Sequence, residues 1–146
     1  MVRIGVYEVS LVRDGSVPVE SRLANEPRSV AAIVRSLIGD TDREHFLVLM
    51  LDSRYRVIGV NTVSVGTLTA SLVHPRETFK PAILAGAAAI VVAHNHPSGE
   101  CSPSPEDVAT TRRLAKAGEL LGIGVLDHVI VTTDGHYSMR EAGVLS

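Results

Sequence analysis

The residues best suited to chemistry lie in one short run, Ala93 to Asp107, which reads AHNHPSGECSPSPED. His94 and His96 stand two apart at the end of an apolar stretch, AAIVVA. Side chains two apart on a strand leave by the same face, so both imidazoles can reach one point just past the strand tip. Pro97, Ser98 and Gly99 turn the chain. Ser104 followed by Pro105 then reads as an N-cap and the first residue of a helix, which puts Asp107 at the third helical position. A strand tip and a helix start can thus converge on one cation. Two neutral imidazoles and a carboxylate make a zinc set of three protein ligands, leaving a fourth position for water. Zinc makes such water acidic enough to supply hydroxide near neutral pH. Each residue also has an ordinary use: paired histidines suit a polar loop, and Ser104, Glu106 and Asp107 suit a helix N-terminus with no metal. The joint spacing, rather than any single residue, favours the metal.

The elements that must hold these groups are legible around them. Residues 2–12, VRIGVYEVSLV, alternate apolar and polar; with the turn RDGS they predict a strand paired with VPVES in an N-terminal hairpin. Pro27 opens a helix with Val30, Ile33, Val34, Leu37 and Ile38 at helical spacing and Gly39 at its end. HFLVLMLD and RVIGVNTVSVG are two strands joined by DSRY, the first apolar enough to be buried on both faces. HPRETFKPAILAG predicts a helix ending near Gly86, with a kink at Pro81 or a start after it. AAIVVA is a short buried strand that delivers His94, and SPEDVATTRRLAKAGELLG is the strongest helix signal. IGVLDHVIVTTDGHYSM predicts a strand, a turn at Asp134-Gly135 and a short strand. The order β-β-α-β-β-α-β-α-β-β, without repeats or linkers, predicts one α/β domain over residues 1–146 with a mixed central sheet and flanking helices.

Composition narrows the class. The chain has 146 residues, 45% of them hydrophobic and 21% charged, enough for one domain with its own core. A net charge of −2 supplies no global basic field for nucleic acid. No apolar run reaches the length of a membrane span. The N-terminus lacks the apolar core and small-residue cleavage site of a signal peptide, and the single cysteine, Cys101, makes no internal disulfide. A cytoplasmic protein is expected.

The pattern His94-x-His96-Pro97, then Ser104, then Asp107, resembles the signature of the JAB/MPN (JAMM) zinc metalloproteases. The longer text from VGTLTASLVHPRETFKPAILAG through HNHPSGECSPSPED to LDHVIV is similar to the RadC branch of that superfamily. The similarity spans roughly residues 27–143, leaving 1–26 as an N-terminal extension. It implies a JAB/MPN, cytidine-deaminase-like architecture and roles for individual residues. His94, His96 and Asp107 match the Zn²⁺ ligands. Ser104 matches the serine that helps to hold the oxyanion. Glu44, in DREHFLVLMLD, matches the upstream glutamate that serves as general base, with Glu77 as runner-up. The implied activity is hydrolysis of a peptide or isopeptide bond.

Other readings compete for the same residues. RadC-type proteins carry a DNA-repair label, and longer members place a helix-hairpin-helix segment first; residues 1–26 are too few for that segment, so direct nucleic-acid binding is weakly supported. A deaminase-like site needs a paired Cys-x-x-Cys and a glutamate directly after the histidine, and neither is present. A non-catalytic interaction module fits poorly with a complete ligand set. His74 reads as a helix cap rather than a substitute ligand. His45 and His136 read as surface or turn residues, and the Cys101 thiolate is only a minor ligand candidate. His128 can orient a ligand or simply be a satisfied core histidine. The basic run RRLAK reads as a solvated helix face. Residues 65–71, VGTLTAS, suit a substrate groove or a plain turn. The alternating N-terminal strand could supply an edge for a homodimer.

Overall fold

The structure is a computed structural model that describes residues 1–39, 41–66 and 73–145. Five strands, β1 (His45–Leu51), β2 (Val57–Val65), β3 (Ala89–Asn95), β4 (Gly124–Val131) and β5 (His136–Ser138), form one sheet in the order β2-β1-β3-β4-β5. β3 and β4 run parallel and the other neighbours antiparallel. Helices α1 (Pro27–Ile38), α2 (Pro75–Ala85) and α3 (Pro105–Leu121) flank the sheet. This is the α/β arrangement with a mixed sheet that the sequence predicts.

Side-chain parity divides the core into two layers. Leu47, Leu49 and Leu51 of β1 pack with Val30, Ala31, Ile33 and Val34 of α1. The intervening Phe46, Val48 and Met50 pack on the other face with Phe79 and Ala82 of α2 and Leu114 of α3. Burying a side chain of this size stabilises by about 1.5–3 kcal/mol, so a one-residue slip of β1 would exchange both layers at once. On β3, Ile90 and Val92 lie in the α2–α3 layer. Alternation therefore places His94 on that same face, under α3. On the opposite side Arg35 of α1 donates to the carbonyls of Thr132 and Gly135, tying the helix to the turn between β4 and β5.

Two expectations change. Residues 1–19 form no strand, and the N-terminal hairpin is absent; segment 22–24 meets the sheet only at the Leu23–Arg56 bridge and its two flanking backbone bonds. The alternating side chains of the arm have no face to bury against, with Ile4 89% and Val6 97% exposed, and an isolated two-stranded hairpin is marginal in water. Second, of the two readings of Pro81, a helix that begins after it does not hold: α2 starts at Pro75 and includes Pro81. Pro81 lacks one helical amide, but burial of Thr78, Phe79 and Ala82 and the His74 cap, whose Nδ1 accepts from the Arg76 amide, hold the helix. Residues 67–72, which include most of the small-residue stretch at 65–71, lie outside the described residues. Among the described residues no helix is long and apolar enough to cross a membrane.

Gly118 shows how closely α3 approaches the strand that follows it. A Cβ there would stand 2.5 Å from the Ile123 carbonyl oxygen and 3.3 Å from the Phe79 ring. Backbone cannot retreat as a flexible side chain can, so Gly118→Ala should lower stability by about 1–3 kcal/mol, despite alanine's better helix propensity. Urea denaturation measures this, and an unchanged or raised midpoint would contradict the close packing.

Candidate metal centre

α3 begins as its sequence dictates. Ser104 has extended backbone angles, and its Oγ accepts from the Asp107 amide at 3.0 Å. The Asp107 carboxylate returns the contact, with Oδ2 accepting from the Ser104 amide at 2.8 Å. This reciprocal capping box satisfies two otherwise orphaned helix donors and fixes the carboxylate's rotamer. The same Oδ2 lies 3.6 Å from His94 Nε2 and 3.5 Å from His96 Nε2. The two Nε2 atoms are 2.8 Å apart. Among the described residues His94, His96 and Asp107 form the one group of histidine, cysteine and acidic side chains close enough to share an ion.

The surroundings differ for each ligand candidate. His94 is 1% exposed, stacked on Phe46 with ring centroids 6.2 Å apart and 16° between planes. His96 lies beyond the strand end and is partly open, its Nδ1 2.7 Å from the Glu100 carbonyl oxygen. Burial opposes ionisation of Asp107, but hydrogen bonding outweighs it, with the Ser104 amide donating to the carboxylate, and holds the carboxyl below the usual carboxylate range.

Glu44 immediately precedes β1 and is half-buried. Its carbonyl accepts from the Gly66 amide. In the β1–β3 register Phe46 lies opposite His94, and Glu44 stands two residues before Phe46, just ahead of the strand. Glu77 sits in the first turn of α2 with its carboxylate 3.4 Å from Lys80 Nζ. Cys101 is not in the ligand group; its Sγ contacts Thr132 Oγ1 at 3.4 Å. His74 caps α2, His45 Nδ1 contacts the Arg43 carbonyl, and His136 is exposed. Arg112, Arg113 and Lys116 lie on the solvated face of α3.

Two positioning elements are not apparent from the sequence. Asn95, between the histidines, accepts from the His45 amide at 2.6 Å and donates to the Arg43 carbonyl at 2.9 Å, bracketing the backbone of Glu44. A carboxamide supplies a donor and an acceptor on separate atoms at one tip without charge, which lets one side chain hold both groups. Asp127 is buried and accepts from the His128 and Arg140 amides and from Ser138 Oγ, joining β4 to the C-terminal turn. Burial raises its pKa, and these hydrogen bonds only partly offset that. His128 is enclosed on the same face as His94, its Nε2 2.6 Å from His94 Nδ1 and its Nδ1 hydrogen bonded to Thr111 Oγ1. A cavity of about 830 Å³ lies on the α1 side of the sheet, between Arg35 and Ile38 of α1 and the ends of β3 and β4; of the ligand group His96 alone lines it.

Comparison with known proteins adds a family. The RadC-like JAB domain matches residues 24–144. A UPF0758 protein of Rubrobacter xylanophilus is 52% identical over 137 residues, 94% of this chain and 58% of its own length. UPF0758 proteins of Desulfitobacterium hafniense and Desulforamulus reducens are 46% and 44% identical over 130 and 134 residues, covering 89% and 91% of this chain. The chain therefore spans rather more than half the length of these relatives, 57–59%.

The enclosed His128 makes stability depend on pH. Burial drives its pKa well below the ordinary value of 6.5, with the nearby His94 acting in the same direction. Below about pH 6.5 the unfolded chain takes up a proton that the folded ring refuses. Stability is therefore complete above that value and is lost as the solution is acidified. In metal-free protein the unfolding free energy should fall by up to about 1.4 kcal/mol per pH unit between pH 6 and 5, and His128→Gln should flatten the slope. A wild-type profile that is level or rises on acidification would contradict a neutral, enclosed ring.

Proposed function

The chain belongs to the RadC-like JAB domain family, and from that premise and the donor geometry we propose that it is a zinc-dependent hydrolase cleaving a peptide or isopeptide bond. The observation that carries this reading is a surplus of lone pairs. A carbonyl oxygen only accepts, so His96 Nδ1 must hold the proton it shares with Glu100. In the neutral ring Nε2 is then a bare lone pair. It points at a second imidazole nitrogen 2.8 Å away and at an ionised carboxylate oxygen 3.5 Å away. Such a triangle favours a cation. Ligands about 2.0–2.1 Å from a tetrahedral Zn²⁺ stand about 3.3–3.4 Å apart, and the three edges of 2.8, 3.5 and 3.6 Å lie around that value.

Zinc held by His94, His96 and Asp107 would supply Lewis acidity and a coordinated water with a lowered pKa. The protein's own groups do the rest. Glu44, anchored through the Asn95 clamp on its neighbours, accepts the proton of the attacking water and returns it to the departing nitrogen, one carboxylate serving both steps. Ser104 Oγ has one lone pair committed to the Asp107 amide. Its proton remains free to donate to the substrate carbonyl oxygen as charge develops there. The resemblance to JAMM proteases supports an amide or isopeptide as the scissile bond.

Three substitutions test the assignment by elemental analysis and by turnover on a panel of fluorogenic peptides and isopeptide-linked conjugates. Glu44→Gln should keep stoichiometric zinc and lose turnover by about 100-fold or more. Glu77→Gln should behave as wild type. His96→Ala should lose the metal. Undiminished hydrolysis by Glu44→Gln rejects the base, and full zinc content in His96→Ala rejects the ligand set.

A further inference from the structure

We infer that Thr111 and His128 form a one-directional proton chain that fixes His94 as its Nδ1–H tautomer and so presents Nε2 as a bare lone pair to the metal position. The inference rests on the metal reading above and assigns positioning roles to two residues that touch no substrate.

The direction of the chain follows from counting protons. Thr111 lies four residues after Asp107, on the same face of α3, and is fully buried. Its hydroxyl has one proton, and it meets the Asp107 carbonyl oxygen at 2.7 Å. A carbonyl can only accept, so the proton is spent there. Toward His128 Nδ1 the Thr111 oxygen can then only accept, which requires a proton on His128 Nδ1. The His128 ring lies between the Phe46 ring, at 5.6 Å and 84°, and His94. No carboxylate hydrogen bonds to it, so a second ring proton would be a buried charge without a partner. His128 Nε2 is therefore an acceptor, and His94 Nδ1, 2.6 Å away, donates to it. A neutral His94 carries one ring proton, so its Nε2 is left bare, facing His96 and Asp107.

The chain runs from His94 through His128 and Thr111 to the backbone carbonyl of Asp107. It starts on one ligand and ends on another, so it also sets the distance between the strand and the helix that supply them. The reverse arrangement is chemically distinct. There Thr111 would donate to His128 Nδ1, His128 Nε2–H would donate to His94 Nδ1, and His94 Nε2–H would point a proton at the metal position. It requires Thr111 to abandon the Asp107 carbonyl. Second-shell groups that orient a metal-binding imidazole commonly contribute 10–100-fold in metal affinity.

Two measurements test the chain. Long-range ¹H–¹⁵N spectra of the ¹⁵N-labelled, metal-free chain at pH 8 should show His94 and His128 both as Nδ1–H tautomers. Either ring found as the Nε2–H tautomer overturns the proposal, and this readout needs no variant and no metal. Zinc competition against a chromophoric chelator should show Thr111→Val weakened by about 10–100-fold, with Thr111→Ser close to wild type. A folded Thr111→Val with wild-type affinity also overturns it; if that variant fails to fold, the wild-type tautomer spectrum decides. Wild-type protein that binds no zinc would sink the hydrolase reading instead, and the spectrum would still judge the chain by itself.

Discussion

Three electron-rich atoms held within 3.6 Å of one another repel until a proton or a cation sits among them. A fold that brings them together must therefore hold them against that repulsion. Here the holding is done by backbone, not by the ligands themselves. Asp107 is fixed by the capping box at the start of a 17-residue helix. His94 is fixed by its place in the central strand, with Phe46 against its face. His96 is fixed by the Glu100 carbonyl, which returns from the turn that follows it. Each anchor would form without a metal, because each satisfies a hydrogen-bonding or packing requirement of its own. Pre-organisation of this kind means that the ion does not have to supply the ordering free energy.

The parts of this arrangement that were legible in the sequence share one property: they depend on near neighbours in the chain. Strand alternation places His94 and His96, and Ser104-Pro105 followed by Asp107 announces the capped helix, because the interacting groups lie within three residues of each other. The same holds for α1, which runs from Pro27 to Ile38 and is capped by Gly39. What was not legible depends on register between distant elements. Thr111 looks like any helical threonine until β4 is set beside β3 with His128 opposite Val92. Asn95 looks like a loop residue until β1 docks with its start at the same end of the sheet. The N-terminal hairpin failed for the complementary reason. Its alternation is a sound local signal, but a strand persists only when its apolar face meets another surface, and residues 1–18 are exposed throughout, with Val19 the first of the arm to pack on the α1 layer. Pro81 shows the same priority of packing over propensity, since the buried face of α2 outweighs one missing amide.

Placing three imidazoles and a carboxylate at the edge of a hydrophobic layer has a cost that explains the extent of the hydrogen bonding. His94, His128 and Thr111 are almost fully enclosed next to Phe46, and Leu114 is the next buried residue along α3 from Thr111. Each polar atom left without a partner in such a place would cost about 1–3 kcal/mol. In the described residues both ring nitrogens of His128 and Nδ1 of His94 are hydrogen bonded, His94 Nε2 faces His96 and Asp107, and Ser64 Oγ is the one buried side-chain oxygen or nitrogen with no contact. A network this complete has only a few consistent proton arrangements, because carbonyls, carboxylates and single hydroxyl protons remove the alternatives. The two carbonyls at its ends, those of Asp107 and Glu100, are the fixed points. They are backbone atoms whose acceptor character no substitution changes. From them the proton positions propagate inward to the two Nε2 atoms, so the electronic state of the site is written into the helix and the turn that surround it.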